Sequence, residues 1–121
     1  MYLLNYYYRI NHLELTGNGG EVEIQILPNC PVFQGHFPGN PICPGVCNVE
    51  VIRECACLLT HQNLTIVRIK QCRFVNVLTP KSNEKLLVQV VTSPNQESVC
   101  VEATMSNANN LFVTFKGEMK A

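Results

Sequence analysis

The chain has 121 residues, and its nine lysines and arginines are balanced by nine acidic residues, every one of them glutamate. A length of 121 suits one ordinary hydrophobic core, so a single domain over 1–121 is expected. Balanced charge gives no electrostatic reason to expect nucleic acid or an anionic membrane as a partner, which leaves local patterning to identify partners.

The opening Met1-Tyr2-Leu3-Leu4-Asn5-Tyr6-Tyr7-Tyr8-Arg9 lacks the basic start, apolar stretch and small-residue cleavage site of a secretory signal. No apolar run approaches membrane-spanning length. Seven cysteines would suggest a disulfide framework in an exported protein, yet the count is odd, so a reduced cytoplasmic chain is the expectation.

The segment from Leu3 to Ile10 is rich in tyrosine and leucine, and Val22 to Ile26 alternates apolar and polar residues, so the opening reads as strand-rich. Asn18-Gly19-Gly20 between the two segments reads as a turn. From Pro31 to Gly45, prolines at 31, 38, 41 and 44 remove backbone donors and predict a shaped loop. Pro44 suits a helix start, and Val46 to Thr60 runs without glycine or proline. Val46, Val49, Ile52, Ala56 and Leu59 mark its apolar stripe, which Cys55, Cys57 and Leu58 widen almost all round, as in a helix buried on most sides. Period two then returns over Leu64 to Leu78, Lys85 to Thr92, Ser98 to Ser106 and Leu111 to Met119. Turns are expected at Pro80-Lys81-Ser82-Asn83, Pro94-Asn95-Gln96 and Asn107 to Asn110. One helix and several antiparallel strands define an α+β fold with a sheet wrapped on the helix.

The chemistry concentrates between Phe33 and Glu50. His36, set between glycine and Phe37-Pro38, has little conformational freedom and suits a base that must meet a proton in one geometry. Glu50 lies early in a mostly apolar helix, where desolvation would raise its pKa and let it act as an acid near neutrality. The N–H groups of Gly45 and Val46 begin the helix without intrahelical acceptors and could polarise a carbonyl oxygen. Gly45, lacking a side chain, would let a substrate approach that backbone. Phe33 and Phe37 are candidates to line an acyl channel, with core packing as the equal alternative.

Gly-His-Phe-Pro, then Pro-x-x-Pro-Gly-Val, then a helix-borne glutamate resembles the signature of the hot-dog-fold 3-hydroxyacyl-[acyl-carrier-protein] dehydratases. The resemblance is sharpest over Phe33 to Glu50 and extends in element order over roughly Val22 to Lys116. It implies a six-stranded antiparallel sheet around one long central helix, a homodimer or a higher oligomer of dimers, and two sites at the subunit interface. His36 would remove the C2 proton of a 3-hydroxyacyl thioester, and Glu50 of the other chain would protonate or assist departure of the C3 hydroxyl. Gly45 and Val46 would polarise the thioester carbonyl. The resemblance implies a carrier-protein-linked acyl thioester as substrate, a trans-2-enoyl product, and neither metal nor organic cofactor.

Two features depart from the family pattern. Glu54 stands where glutamine is common, setting two carboxyls one helical turn apart, where like charge would raise one pKa unless Arg53 or a cross-subunit group compensates. The opening also lacks the leucine-proline-histidine-arginine element of the housekeeping enzymes, which leaves room for a specialised pathway such as polyketide-like or aryl-polyene lipid synthesis.

Other features read more plainly. His12 and His61 have no motif around them and are expected at the surface. Cys43, Cys47, Cys55 and Cys57 mostly share one helix with different facings, which suits buried thiols better than zinc, although Cys47 could line the pocket. Arg68, Lys70, Arg73, Lys81 and Lys85 form a basic stretch that is either a solvated strand face or a docking surface for an acidic carrier protein, with alternation sending Arg68 and Lys70 to one face. The competing functions are a hot-dog acyl thioesterase and a non-catalytic acyl-binding subunit of the same fold.

Overall fold

Alternation supplies the inner wall of the sheet. Val22, Ile24 and Ile26, then Leu86, Val88 and Val90, then Val101, Ala103 and Met105, and finally Val113, Phe115 and Met119 are buried at every second position. A computed structural model of the protein describes residues 2–34, 41–80 and 84–121. Its elements in chain order are β1 (Tyr8–Thr16), β2 (Gly19–Ile26), a short 3-10 turn (Pro31–Gln34), α1 (Gly45–Thr60), β3 (Thr65–Phe74), β4 (Leu86–Asn95), β5 (Ser98–Ser106) and β6 (Leu111–Lys120). The six strands form one sheet in the order β1-β2-β4-β5-β6-β3, with every neighbouring pair antiparallel.

Helix α1 packs on the inner wall, chiefly on β2 and β4 and also on β3 and β5. Val51, Ile52, Cys55, Ala56 and Leu59 bring its apolar surface to the sheet. The helix ends at His61, whose left-handed backbone (φ 55°) lets its N–H reach the Cys57 carbonyl. The described α+β architecture is the six-stranded sheet on a central helix that the sequence implied. Among the described residues no helix is long and apolar enough to cross a membrane.

Two local expectations are corrected. Val46, the first residue of the predicted stripe, is 78% exposed, because it sits on the first turn where the helix emerges from the sheet. Residues 3–7 are not strand: the Tyr6 and Tyr7 amides both bond to the Leu3 carbonyl, and β1 begins only at Tyr8. In β3, the pairing with β6 slips between Ile66 and Arg68 and again between Ile69 and Gln71. The Lys70 amine nevertheless reaches the carboxylate of Glu118, the residue opposite Arg68, so both basic residues lie toward one face as alternation suggests.

Gly19 opens β2 with φ 137°, and a Cβ there would run into the Val90 carbonyl of β4. Gly17, on the same hairpin, has open space around it. Gly19→Ala is therefore expected to destabilise the fold by roughly 2 kcal/mol, through strain and overlap with backbone. Gly17→Ala should stay within about 0.5 kcal/mol of wild type. Urea unfolding of both variants checks this, and equal effects would contradict the close β2–β4 approach.

Candidate active site

Pro44 (φ −64°, ψ 139°) precedes α1 in an extended conformation, and among the described residues no side-chain cap serves the first helical amides. Those N–H groups lie at the positive end of the helix dipole. A cavity of about 380 Å³ opens beside them, lined in part by Ile42, Cys43, Gly45, Asn48, Phe74 and Leu78. The Cys43 amide donates to the Leu78 carbonyl at 2.8 Å, tying the loop before the helix to the segment after β3. A shallower depression of about 400 Å³ lies over β4, β5 and β6, lined by exposed polar residues such as Gln89, Glu102 and Lys116. It has neither a helix terminus nor a histidine and is set aside as a reaction site.

The close approach expected at Gly45 is made by the Phe74 ring. A Cβ on Gly45 would stand 2.8 Å from that ring, so glycine is what lets the aromatic side chain lie on the helix start. Phe74 remains 55% exposed, with one side on the helix and the rest toward solvent. Phe33, by contrast, is buried, with its ring centroid 5.6 Å from that of Tyr7 and the planes tilted by 32°. Core packing is thus the observed environment of Phe33. His36 and Phe37 lie outside the described residues.

Glu50 is not among the residues lining the cavity. Its carboxylate forms a two-pronged pair with Arg53: Nε donates to Oε1 at 2.8 Å and Nη2 to Oε2 at 2.6 Å. The two side chains are 27% and 14% exposed, and Arg53 also donates from Nη1 to the Leu64 carbonyl at 2.7 Å. The Arg53 hydrogen bonds hold the Glu50 carboxyl below its ordinary range, outweighing the opposing effect of partial burial. The expectation of a raised Glu50 pKa is corrected: desolvation acts in the expected direction, but a guanidinium bound at both oxygens decides the sign. The expected rise of Glu50 beside Glu54 is not seen: Arg53 lowers the Glu50 carboxyl, and the carboxyl's contact with Glu54 acts in the same direction, while Glu54 also accepts hydrogen bonds from the opening segment.

Sequence reasoning missed two residues of this region, Asn48 and Tyr7. Asn48 is buried, lines the cavity and accepts a hydrogen bond from the Tyr7 hydroxyl at 3.1 Å. A polar residue on an otherwise apolar helix was the available signal for the first, and a run of tyrosines whose hydroxyls need partners for the second. Burial, aided by neighbouring Cys43, pushes the Tyr7 hydroxyl well above its usual range, and burial pushes the Cys43 thiol up to about 11. Neither is a proton donor or nucleophile of the reactive kind. All seven cysteines are free thiols, and among the described residues no group of three or more His, Cys or Glu side chains is gathered to hold a metal. His12 and His61 are exposed as expected, and Lys70 of the basic stretch is paired with Glu118 at 3.4 Å. Lys81 lies outside the described residues.

A single helix cradled by a six-stranded antiparallel sheet, with a loop-to-helix junction beside a cavity, is the hot-dog fold. Residues 13–115 match the family described as ApeI-like, ApeI dehydratase, and the chain belongs to that family. The structure is similar to a chain of the dehydratase heterocomplex ApeI:P from Xenorhabdus doucetiae, with TM-score 0.75 and 18% identity, over 93% of this chain and 96% of that one. Among curated relatives, the 3-hydroxyacyl-[acyl-carrier-protein] dehydratase FabZ of Lactiplantibacillus plantarum is 34% identical over 84 residues, covering 61% of this chain and 57% of that protein. FabZ of Alkaliphilus metalliredigens is 53% identical over 72 residues, covering 54% of this chain and 49% of the relative. The matches thus span about half the length of these relatives.

A carboxyl held low in the folded state stabilises the fold above its unfolded pKa and loses that contribution as pH falls through the folded value. Arg53→Met is expected to cost about 2 kcal/mol at pH 7, between the values for exposed and buried pairs. The gap from wild type should narrow progressively as the pH falls from neutrality into acid and Glu50, held below the ordinary carboxyl range in wild type, takes up its proton. Thermal unfolding across that range checks it, and a gap that widens in acid would reverse the assignment.

Proposed function

We propose that this chain dehydrates 3-hydroxyacyl thioesters to trans-2-enoyl thioesters, acting on carrier-protein-linked substrates in fatty-acid or polyketide-like lipid synthesis. The observation that carries the reading is the uncapped start of α1 beside an apolar-rimmed cavity, on the same helix as Glu50, in a chain of a dehydratase family. The relatives' names supply the substrate class.

His36 takes the C2 proton as the thioester carbonyl accepts hydrogen bonds from the Gly45 and Val46 amides, which stabilise the enolate-like oxygen. The electron pair of the broken C2–H bond forms the C2–C3 double bond. The C3–O bond breaks, and a proton must reach the departing oxygen so that it leaves as water. Because Arg53 favours the anionic form of Glu50, the imidazolium formed on His36 is the better source of that proton. Glu50 then orients the C3 hydroxyl by accepting its hydrogen bond, which is the assisting role. Hydration runs through the same groups in reverse.

A second copy supplies the opposite half of the site. Two features support this: Glu50 does not line its own chain's cavity, and edge strand β3 exposes Val67, Ile69 and Phe74, followed by Val75 and Val77. An apolar edge of that kind favours pairing with another chain. Arg68, Arg73 and Lys85 keep the carrier-docking surface as part of the proposal, with Lys70 committed to Glu118. The Arg53 clamp favours a second reading, a non-catalytic acyl-binding subunit, in which Glu50 is a structural ion-pair member.

Hydration of a trans-2-enoyl carrier-protein thioester, followed by loss of enoyl absorbance, separates the two. His36→Ala and Glu50→Gln should each lower the rate by about a hundredfold or more, the range of a lost acid–base group. Unchanged rates in both variants would end the mechanism, and thiol release in the same reaction would instead support a thioesterase.

Mixing the two inactive variants should restore about a quarter of wild-type activity, since half of the exchanged dimers are mixed and each carries one intact site. Continued inactivity after verified subunit exchange would count against a shared site.

A further inference from the structure

Glu54, one helical turn beyond Glu50, has no solvent exposure. Its Oε2 accepts the Tyr2 and Leu3 amides, each at 3.0 Å, and its Oε1 accepts the Leu4 amide at 3.0 Å and the Tyr8 hydroxyl at 2.9 Å. Three of these four contacts are backbone N–H groups that can only donate, and they are spread over both oxygens, a pattern a carboxylate satisfies more fully than an amide. A glutamine of the same shape would turn its NH2 group toward at least one backbone N–H whichever way the amide faced. The acid is therefore specific to this arrangement.

What the carboxylate holds is a folded strap. Within it the Tyr6 and Tyr7 amides reach the Leu3 carbonyl at 3.0 and 2.7 Å, and Asn5 takes φ 66° to close the turn. The strap delivers Tyr7 to two places. Its hydroxyl donates to Asn48, which lines the cavity, and its ring packs on Phe33, in the 3-10 turn just ahead in sequence of His36. The Tyr7 carbonyl also accepts the Leu27 amide at 2.8 Å, fixing the strap to the end of β2.

We propose that Glu54 is a positioning residue: through the strap Tyr2–Tyr8 it sets Tyr7, and through Tyr7 it fixes both the Phe33 turn and Asn48, which lines the cavity. The catalytic part of this inference rests on the dehydratase reading above; the structural part does not. Tyr8 adds a direct contact, and the strap's three amides make the hold depend on the acid rather than on packing alone.

Amide exchange on the full chain tests it, comparing wild type, Glu54→Gln and Tyr7→Phe. In Glu54→Gln, the Leu3 and Leu4 amides should exchange at least about tenfold faster. The Phe33 amide, which donates to Cys30 at 3.1 Å and does not touch Glu54, should also be released. Protection equal to wild type at these amides would overturn the proposal, as would release confined to the strap with Phe33 unchanged. In the hydration assay, Glu54→Gln should lower kcat about tenfold or more with KM within about twofold, as expected of misplaced rather than missing catalytic groups. Tyr7→Phe leaves the strap bonded to Glu54, so it remains informative if the glutamine variant fails to fold. It should lower kcat with the Leu3 and Leu4 amides still protected, and an undiminished kcat would overturn the positioning role. If wild type hydrates no enoyl thioester, the dehydratase reading fails, and Phe33 exchange in Glu54→Gln alone still decides whether Glu54 holds the turn.

Discussion

One helix has to fill the concave side of a six-stranded sheet, so α1 is enclosed on most sides and each polar residue along it must be satisfied inside the protein. Four such residues organise what surrounds them. Asn48 draws the Tyr7 hydroxyl, Glu54 gathers the amides of residues 2–4, and the Glu50–Arg53 pair reaches the Leu64 carbonyl just before β3. Among the described residues no buried side-chain polar atom is left without a partner. The polar minority of the helix therefore sets where the opening segment, the cavity wall and the start of β3 lie. The apolar majority fixes only that the helix is covered.

That division explains what could be read from the residues. Strand β5 runs over Ser98–Ser106 as its alternation predicts, and β6 extends the predicted segment by one residue, because period two on a half-buried sheet is a local property. The helix was equally local, with Gly45 as its first residue after an extended Pro44. Residues 3–7 failed the same test. Their composition suits a strand, yet the amides that a strand would pair go to a carboxylate 50 positions away along the chain for Leu4. No window of local sequence contains that partner. The bulges of β3 were hidden for a related reason: each is a relation between β3 and β6, and Val67 and Lys70 look like ordinary members of an alternating run.

The candidate site divides along the same line. The junction of Pro44 and Gly45 with α1 was legible because proline and glycine act on their own backbone. The occupant of the space beside Gly45 was not, since the Phe74 ring arrives from the far end of β3. Phe33 shows the reverse difficulty. An aromatic residue close to His36 in sequence suggests a channel wall, whereas its ring is buried against Tyr7 from the strap. Proximity in sequence suggested a shared wall, and only the packing shows that Phe33 supports its neighbours.

Two carboxylates one turn apart would compete for a proton if they shared an environment, and α1 gives them different ones. Glu54 is enclosed and faces fixed backbone donors and a tyrosine hydroxyl, whereas Glu50 is partly exposed and faces a guanidinium on a flexible side chain. Backbone donors are positioned by the fold and respond little to what enters the site. A guanidinium can shift when a second chain or a substrate brings another charge near it. Of the two acids, Glu50 is consequently the one whose contacts can change when a partner arrives, and Glu54 the one suited to hold geometry constant. Glu54 then concerns how the opening segment is held in place, apart from the proton transfer proposed for His36.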